Sequence, residues 1–430
     1  MINVEQKTIP ENINVHLLPI QKFKTVLVTV FIHQVLDKDL ATWTALLPAV
    51  LQRGTQEYPT YRDLKTRLEE LYGAELTADV IKRGERHVLS FSLEMINEKF
   101  AYDESLLEQG LSVLRSVIFA PLLENGRFKK DYVEQEKEQL AKEIQGLINN
   151  KINYAVERCF QVMCAEERFG VYKYGRVEDL EKITPEWLYD YYRKIIQENP
   201  IDVFVVGEFD PESVYSSLKE TMSCSRAPGV KEIPPEEVDI LPQEVNYHEE
   251  KLPVNQGKLN LGYRTRVSYG DEKYVPLLFY NGILGGFPHS KLFQNVREKA
   301  SLAYFAFSNL EKHKGVQVLG SGIDVSNYEK ALGIIKEQVE LMKKGEISSE
   351  EMENTRRGLL TQVKTLGDNP YNLVNFFLDG LIGNRSDNIE SLVRRIESVT
   401  VDEVVNVAQE VNLDTVYFLR SLDGERGEEE

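Results

Sequence analysis

The chain repeats its own order of secondary structure, and this internal repeat constrains the fold more than any other feature. The segment LKTRLEELYGAELTADVIKRGERHVLSFS aligns without a gap on LFQNVREKASLAYFAFSNLEKHKGVQVLG in the second half. The matching pairs in this alignment are Leu64 and Leu292, Glu70 and Glu298, Ala78 and Ala306, and Val88 and Val316. Strand-like and helix-like stretches follow the same order in both halves, so we predict a duplicated α+β unit.

Hydrophobic periodicity predicts the individual elements. Runs rich in β-branched and aromatic residues predict strands over residues 24–33, 87–93, 202–206, 259–263, 302–307, 316–321 and 414–419. Apolar positions at helical spacing predict helices over residues 40–52, 61–71, 105–119, 128–145, 274–284, 291–299, 328–343 and 349–363.

The segment from residue 226 to residue 247 separates the two halves. It is rich in glutamate and contains Pro228, Pro234, Pro235 and Pro242. Because proline fixes φ and lacks a backbone N–H, such a segment suits neither a helix nor a central strand and indicates an extended linker. We therefore predict an N-terminal domain over 1–225, a C-terminal domain over 248–421 and a disordered acidic tail over 422–430.

Charge and composition exclude several classes of function. The net charge of −18 disfavours nucleic acid and anionic membranes as partners, because either would need a basic surface. No apolar run reaches the roughly 18 residues that cross a bilayer, and the first residues lack the pattern of a secretory signal. Three cysteines without CxxC spacing predict reduced thiols. We therefore expect a cytoplasmic globular protein.

One segment of the second half resembles a known family. ILGGFPHSKLFQNVREKASLAYFAFSN, from Ile283 to Asn309, resembles the C-terminal half of the M16 (pitrilysin/insulinase-like) metallopeptidases, in which a Gly-Gly loop precedes S-x-L-F-x-x-L/V-R-E-K and then G/S-L-A-Y. The resemblance covers essentially the whole chain, and within the family it is closest to the inactive YmfF-like members. It implies two homologous halves of mixed or antiparallel sheet flanked by helices, similar to LuxS and the mitochondrial processing peptidase, in a clamshell arrangement.

Active members of this family bind zinc through HxxEH on the first long helix. Two histidines four residues apart share a helix face, and the glutamate between them activates water. Here the segment reads ALLPAVLQRGT, and its Gly54-Thr55 aligns it on the family pattern. The resemblance places Ala45 and Ala49 at the histidine positions and Pro48 at the glutamate position. We predict no metal site in this chain, and a kinked helix, because Pro48 removes a backbone hydrogen bond.

The third zinc ligand of the family lies in a downstream helix. The segment EKEQLAKE keeps two acids that match this pattern, Glu136 and Glu143. A single surviving carboxylate cannot hold zinc in a tetrahedral site, so the simpler interpretation is two exposed glutamates on a charged helix. The histidines offer no second motif, because no two are three or four residues apart: His16, His33, His87, His248, His289 and His313.

Peptide hydrolysis in the family also uses an arginine and a tyrosine of the C-terminal half, and in two-subunit members the partner that lacks zinc supplies them. LFQNVREKASLAY places Arg297 and Tyr304 at these positions. A guanidinium offers a fixed fork of donors, and a phenol can donate to an oxyanion. Strand alternation puts Tyr304 opposite Phe305 and Phe307, which we expect to pack beneath helices. Both residues also suit ordinary structural roles at a helix end and in a strand.

Gly285 and Gly286 open a short loop before this helix. In the processing peptidase, the non-catalytic subunit has a longer glycine-rich loop that is implicated in substrate handling. The loop here is short, so substrate handling and a tight turn between two helices are equally good interpretations. A phosphate site is excluded, because neither a GxxxxGK nor a strand-GxGxxG context is present.

The resemblance implies the non-catalytic subunit of a heterodimeric zinc peptidase that acts on peptides. A catalytic M16 partner would carry HxxEH and the zinc, and this chain would contribute Arg297 and Tyr304 to peptide binding and transition-state stabilisation. In isolation the chain could form a homodimer. One alternative is a proteolytically inert peptide-binding or scaffold protein, for which YmfF-like proteins suggest an assembly role in modification of elongation factor P. The other is a self-sufficient hydrolase, although its serines and cysteines lack any nucleophile signature.

Overall fold

The computed structural model describes residues 4–103 and 105–422. Its strands are β1 (Glu5–Ile9), β2 (Ile13–Pro19), β3 (Thr25–Val35), β4 (Glu75–Arg83), β5 (Arg86–Ile96), β6 (Leu123–Glu124), β7 (Arg127–Phe128), β8 (Ile201–Gly207), β9 (Asn246–Lys251), β10 (Gly257–Arg264), β11 (Ala303–Glu311), β12 (Val316–Ile323) and β13 (Asn412–Arg420). Its α-helices are α1 (Ala41–Leu51), α2 (Tyr61–Glu70), α3 (Leu106–Phe119), α4 (Lys130–Gly146), α5 (Lys151–Met163), α6 (Pro185–Glu198), α7 (Pro211–Thr221), α8 (Tyr274–Asn281), α9 (Tyr328–Lys343), α10 (Ser349–Thr365), α11 (Pro370–Ile382), α12 (Ile389–Ser398) and α13 (Val401–Glu410).

Local sequence explains where the strongest elements begin. β3 reads TVLVTVFIHQV, and its β-branched and aromatic residues favour an extended backbone. α2 begins with a capping box, in which the Thr60 side chain accepts from the Asp63 N–H and the Asp63 carboxylate accepts from the Thr60 N–H. Ser348 and Glu351 make the same arrangement at the start of α10. These polar residues satisfy N–H groups that have no partner within the helix.

The strands form two large mixed sheets with the same internal order. The first is β1-β2-β8-β3-β5-β4 and the second is β11-β12-β10-β13-β9. Read backwards, the second sheet matches the first from β2 to β4. In each sheet the first of these pairs is parallel, and the three that follow are antiparallel. The α+β class and the predicted duplication are confirmed.

The predicted alignment of the two halves holds residue by residue in one pair of strands. The offset that places Ala78 on Ala306 also superimposes the first and last residues of β4 on those of β11. The helix predicted over 328–343 is α9, and the helix predicted over 40–52 is α1, one residue shorter at each end. Periodicity therefore located these elements closely.

The first sheet packs its apolar face against helices. Alternate residues of β2, such as Ile13, Val15 and Leu17, join one buried cluster with Leu46 of α1 and Leu114 of α3. Burying an aliphatic side chain of this size contributes about 1.5–3 kcal/mol. The opposite face is also buried and holds a polar cluster among aromatic and aliphatic side chains. In this cluster the Nε2 atoms of His16 and His33 lie 2.7 and 3.2 Å, respectively, from carboxylate oxygens of Asp202.

The chain divides into two compact units that depart from the sequence halves at two places. Unit 1 consists of Met1–Gln145, Val171–Pro235 and Asp368–Phe377, and unit 2 consists of Gly146–Gly170, Glu236–Gly367 and Leu378–Glu430. α5 therefore belongs to unit 2, and the beginning of α11 belongs to unit 1. The domains predicted over 1–225 and 248–421 are contiguous and do not include these two exchanged segments. The sequence could not predict them, because an amphipathic pattern shows that one face of a helix is buried but not which sheet buries it.

A buried ionic network fixes α5 and the residues after it on the sheet of unit 2. Arg264 of β10 donates to Glu167 Oε1 at 2.6 Å and to Asp414 Oδ2 at 2.9 Å, and it also donates to the Met163 carbonyl at 3.1 Å. Lys314 lies 2.7 Å from Glu167 Oε2. Both cations are almost fully buried. Burial opposes ionisation of Glu167, but its hydrogen bonds to these cations outweigh burial and lower its pKa.

The predicted linker is extended, since residues 222–245 form neither helix nor strand. Its first part bonds to unit 1, where the Lys231 N–H donates to the Glu198 carbonyl at 2.7 Å. Its second part bonds to unit 2, where Arg266 and Asp239 are 2.5 Å apart. The predicted acidic tail lies, from residue 423 onward, outside the described residues. None of the described helices is both long and apolar enough to span a membrane.

Candidate functional site

Helix α1 carries three of the residues predicted to replace zinc-site residues. It runs unbroken from Ala41 to Leu51 with Pro48 inside it. Because proline has no N–H, the Thr44 carbonyl four residues earlier loses its usual intrahelical donor. The kink expected from the sequence does not divide the helix, since Pro48 lies in the last turn. The proline thus costs one hydrogen bond and leaves the helix in place.

A cavity of about 110 Å³ in unit 1 brings the predicted positions together. Its lining includes Ala45, Pro48 and Ala49 of α1 and Glu136 and Glu143 of α4. The two glutamates are seven residues apart, about two helical turns, so they share a face of α4. The sequence alignment therefore selected residues that are neighbours in space.

Glu136 is buried, with 8% of its surface exposed, whereas Glu143 is exposed. The prediction of two exposed glutamates is therefore wrong for Glu136. The reason is Arg53, just beyond the end of α1, whose Nε donates to Glu136 Oε1. A buried carboxylate needs such a cation to remain ionised. The pairing engages one oxygen of Glu136 and lowers its availability to a metal ion.

The other polar groups at the cavity are also paired. The Tyr174 hydroxyl donates to both carboxylate oxygens of Asp79 at 3.2 Å. Lys173 lies 3.2 Å from Asp79 Oδ2 and covers the Tyr174 ring at 4.2 Å. Burial, with the negative charges of Asp79 and Glu143, raises the pKa of Tyr174. The phenol therefore stays protonated and acts as a donor to the acids.

These residues do not fit a zinc ion. Alanine offers no lone pair to a metal and proline cannot serve as a base, so Ala45, Ala49 and Pro48 supply neither ligand nor base. Within residues 4–103 and 105–422, no group of three or more His, Cys, Asp or Glu side chains is arranged to hold a metal. The acids that remain beside the cavity are bound to Arg53, Lys173 and Tyr174.

Arg297 lies in a stretch of unit 2 with irregular helical geometry. The helix that starts at Lys291 becomes π-helical from Phe293 to Lys299. Arg297 is exposed, and its guanidinium lies 4.4 Å from the centre of the Phe293 ring. Among the described residues it makes no ion pair. π-Helical turns are rare and frequently occur at functional sites.

Tyr304 follows two further irregularities. Ser301 has a left-handed backbone with φ of 52°, which a residue with a Cβ rarely adopts. The register of β11 against β12 shifts between Ala303 and Phe305, so Tyr304 is the extra residue of a β-bulge. Its side chain is 70% exposed. The predicted exposure is confirmed, although the bulge interrupts the simple alternation on which the prediction rested.

The phenylalanines beside Tyr304 do not lie under the helices that follow β10. The Phe305 ring covers Gly322 and the Phe307 ring covers Gly320. Ser308 points to the opposite face, where it bonds to Asn281 of α8 at 2.6 Å. Phe307 instead packs beside the cluster that α5 forms with the sheet. The expectation of a helix beside the ring is therefore met for Phe307, although that helix, α5, comes from the other half of the sequence, whereas Phe305 contacts Gly322 and Lys258.

The Gly-Gly segment has a clear packing function. Gly282–Gly286 continue α8 as a π-helical turn. A Cβ at Gly285 would come within 2.7 Å of the Ser308 backbone nitrogen, so glycine permits the close approach to β11. Beyond it, His289 stacks on Phe287 with centroids 5.3 Å apart and lies 3.2 Å from the Thr355 hydroxyl. These contacts favour the tight turn over the interpretation as a substrate loop.

The sequence reasoning missed Arg53, Asp79, Lys173 and Tyr174. They come from the end of α1, from β4 and from the segment before α6, and only the fold brings them to the cavity. For Asp79 a signal existed, because it sits in β4 next to Ala78, which the repeat alignment had singled out. Nothing in the sequence links Arg53 to Glu136.

Comparisons with known proteins agree with this fold. The family model described as "Peptidase M16 inactive domain" matches residues 182–359. The fold is that of an M16-type protein, and the chain belongs to the M16 peptidase family, among its inactive members. It is 39% identical over 422 residues to "Probable inactive metalloprotease YmfF" of Bacillus subtilis, covering 98% of each chain.

Two solved structures extend the comparison. A conserved protein from Enterococcus faecalis V583 is 31% identical, with a TM-score of 0.91, over 99% of this chain and all of that one. A protease from Helicobacter pylori has a TM-score of 0.80 over 97% of this chain and all of that one. Because it is only 18% identical, it supports the fold alone.

Proposed function

We propose that this chain is the non-catalytic subunit of a two-subunit M16 peptidase and that it presents Arg297 and Tyr304 to a peptide held by a zinc-bearing partner. The observation that carries the proposal is the local geometry around these residues: a π-helical stretch, a left-handed serine and a β-bulge all occur between Phe293 and Phe305. Such irregularities are costly and cluster at functional sites.

The chemistry of the two side chains suits this role. A partner carrying HxxEH would supply the metal and the base that Ala45, Pro48 and Ala49 cannot. Tyr304 would donate a hydrogen bond to the oxygen that becomes negative when the peptide carbonyl is attacked, and a single donor of this type is worth about 10²–10³ in rate. Arg297 would bind a carbonyl or carboxylate of the peptide through its fork of N–H groups.

A second candidate is a peptide-binding scaffold without any part in hydrolysis. The pairing at the cavity of unit 1 supports it, because Arg53 and Lys173 already bind acids that remain there. The two candidates differ in one respect: the scaffold needs Arg297 for binding at most, whereas the subunit needs it for the rate of cleavage.

The test mixes this chain with an M16 chain that carries HxxEH and is encoded by the same organism. We expect a stable complex in size-exclusion chromatography and cleavage of a quenched fluorescent peptide by the mixture but by neither chain alone. Arg297→Ala should lower kcat/KM about 100-fold, or roughly 2.7 kcal/mol, while the exposed control Arg357→Ala should change it less than twofold. Absence of a complex, or full activity of Arg297→Ala, would contradict the proposal.

A further inference from the structure

A groove in unit 2 is lined by two lysines and two amides and by no acid. Its volume is about 400 Å³, and its lining is Lys151, Pro253, Val254, Asn255, Gln256 and Lys258. This lining is unusual in a chain whose net charge is −18. All six residues belong to unit 2.

Lys258 is the most informative of these residues. It lies on β10, the central strand of the second sheet, between Gly322 of β12 and Leu419 of β13. Its ammonium lies 5.5 Å from the centre of the Phe305 ring and 3.4 Å from Gln256 Oε1. It makes no ion pair with any carboxylate among the described residues. Partial burial without a counter-charge lowers the pKa of Lys258.

Helix α5 runs across the sheet from the groove, near Lys258, to the other end of β10, near Gly262. Its last turn covers Gly262, where a Cβ would come within 2.7 Å of the Met163 sulfur, and Arg264 bonds to the same turn. Its first residue, Lys151, lines the groove at the other end. The positive end of the helix dipole adds to the two ammonium groups there. The charges that line the groove are therefore of one sign.

A second residue of β10 on the same face, Asn260, has a side-chain amide group without a hydrogen-bond acceptor. Asn260 is 3% exposed, and its Nδ2 has no hydrogen-bond acceptor. Lys258 and Asn260 are two residues apart in a strand, so their side chains point to the same side of the sheet. Buried donors without acceptors are rare in native proteins and call for an explanation. On this face of the strand, the Asn260 Nδ2 group is thus a buried donor without an acceptor among the described residues.

We propose that this groove binds a carboxylate of a peptide, either its C-terminal carboxylate or the side chain of Asp or Glu, with Lys258 and Lys151 as the cationic contacts. The inference rests on the proposed function, because it assigns a class of peptide to the same unit. The position supports this: Phe305, which Lys258 covers, directly follows Tyr304. The groove and Tyr304 therefore adjoin the same end of β11.

Charge complementarity favours a carboxylate over other ligands. A lysine in a central strand loses hydration without gaining a counter-ion, and a bound carboxylate would restore one. The amides of Asn255 and Gln256 can donate to its second oxygen. The net charge of the chain repels acidic peptides in general, so selective binding of one would come from this local site.

The test measures binding to the full-length chain alone by isothermal titration calorimetry. The probes are N-acetylated octapeptides of one apolar sequence in three forms: glutamate with an amidated C-terminus, glutamine with a free C-terminus, and glutamine with an amidated C-terminus. We expect one of the first two to bind at least tenfold more tightly than the neutral form, and the tighter one identifies the source of the carboxylate.

Variants tie the preference to the groove. Lys258→Met keeps the aliphatic packing on Phe305 and should remove the preference, whereas Lys258→Arg should retain it within about threefold. Lys151→Met should reduce it about threefold, and the exposed control Lys344→Met should not change it. Circular dichroism melts verify that each variant folds.

Two outcomes would overturn the inference: equal or absent binding of all three peptides, or a preference that survives Lys258→Met. Neither depends on the partner chain or on cleavage. Failure of the inference is therefore distinguishable from failure of the proposed function, which is measured as hydrolysis by the two-chain mixture. An intact preference with an inactive mixture would support the groove and count against the catalytic role.

Discussion

The two copies of one segment differ in their geometry. In unit 1, α2 is a regular helix, Gly73 takes the left-handed backbone with φ of 74°, and β4 pairs with β5 without a shift in register. At the same offset, unit 2 has a π-helical stretch, Ser301 in the left-handed region and a bulge at Tyr304. Leu76 is 6% exposed where Tyr304 is 70% exposed.

The difference shows where the structure retains local strain. In unit 1 the acids beside the cavity are paired, with Arg53 on Glu136 and Lys173 on Asp79. In unit 2, Arg297 and Lys258 have no carboxylate partner within the part of the chain that the structure describes. A surface that has lost its role is expected to relax toward regular geometry and paired charges, because each irregularity costs stability. This asymmetry is the reason we propose that unit 2 carries the function of this chain.

The largest expected effect comes from introducing the family's zinc-binding motif into α1 of unit 1. The triple variant Ala45→His, Pro48→Glu, Ala49→His should bind zinc with Kd of about 1 µM, or roughly 8 kcal/mol, because two histidines then share a helix face beside Glu136 and Glu143. Adding Arg53→Met should tighten binding about tenfold by freeing Glu136. Competition with a fluorescent chelator measures the affinity.

The matched control replaces Ala45 and Ala49 by glutamine, which adds volume without a good zinc ligand. If this control binds zinc as tightly as the histidine variant, the ligands lie elsewhere and the comparison of the two units fails.

The second largest effect concerns the attachment of α5, which follows unit 1 in sequence, to the sheet of unit 2. Arg264→Met should destabilise unit 2 by about 3–5 kcal/mol, because it leaves the buried Asp414 without its cation and Glu167 with Lys314 alone. The segment from residue 146 to residue 170 should become sensitive to limited proteolysis. Urea unfolding and the time course of cleavage measure both changes.

Lys273→Met serves as the control in the same unit, because its pair with Glu410 is half exposed and should contribute at most about 1 kcal/mol. A small loss for Arg264→Met would mean that packing of α5, and not this network, holds the segment on the sheet.

The smallest expected effect is a difference between the two units in how their stability depends on pH. Burial, followed by the charges of Lys82 and Lys173, lowers the pKa of His87 to about 3. The unfolded chain takes up this proton near pH 6.5 and the folded chain does not, so the stabilisation of unit 1 is full above that pH. It should fall by at most about 1.4 kcal/mol per pH unit as the pH drops from 6.5 toward 3. His87→Gln should remove this slope.

Hydrogen exchange corrected for intrinsic rates, compared at pH 7 and pH 5, resolves the two units. Exchange in unit 2 should increase less between pH 7 and pH 5. The pKa of Glu167 is lowered in the folded chain, so its ionic network loses stability only below the unfolded pKa of about 4.3. His289, whose pKa burial also lowers, is only partly buried, so His289→Gln is the control. Equal loosening of both units would contradict the assignment to His87.

The sequence predicted the elements better than their partners. Periodicity located α9, because this helix buries one face at a regular spacing, and the repeat alignment matched β4 to β11. It could not assign α5 to the second sheet, since its apolar face fits either sheet. The Arg53–Glu136 pair joins α1 to α4 and depends on tertiary contacts alone. The bulge at Tyr304 adds one residue, and such an insertion leaves no pattern in a single sequence.

The residues of the candidate site also divide into those that a sequence motif identified and those that only the tertiary structure reveals. The alignment on the family motif found Ala45, Pro48 and Ala49, which the structure places beside one cavity with Glu136. It also found Tyr304, whose exposure the structure shows. Lys258 carries no motif: only its place on a central strand, beside Phe305 and without an acid, distinguishes it from other lysines.

The most direct test of the central claim measures the contribution of Tyr304 to a partner's reaction. Peptide cleavage is followed for the zinc-bearing M16 partner mixed with the wild-type chain or with Tyr304→Phe, which keeps the ring and removes the hydroxyl. We predict that kcat falls about 100-fold with KM within twofold, as expected for a donor that acts in the transition state. An unchanged kcat, or cleavage by this chain alone, would contradict the account.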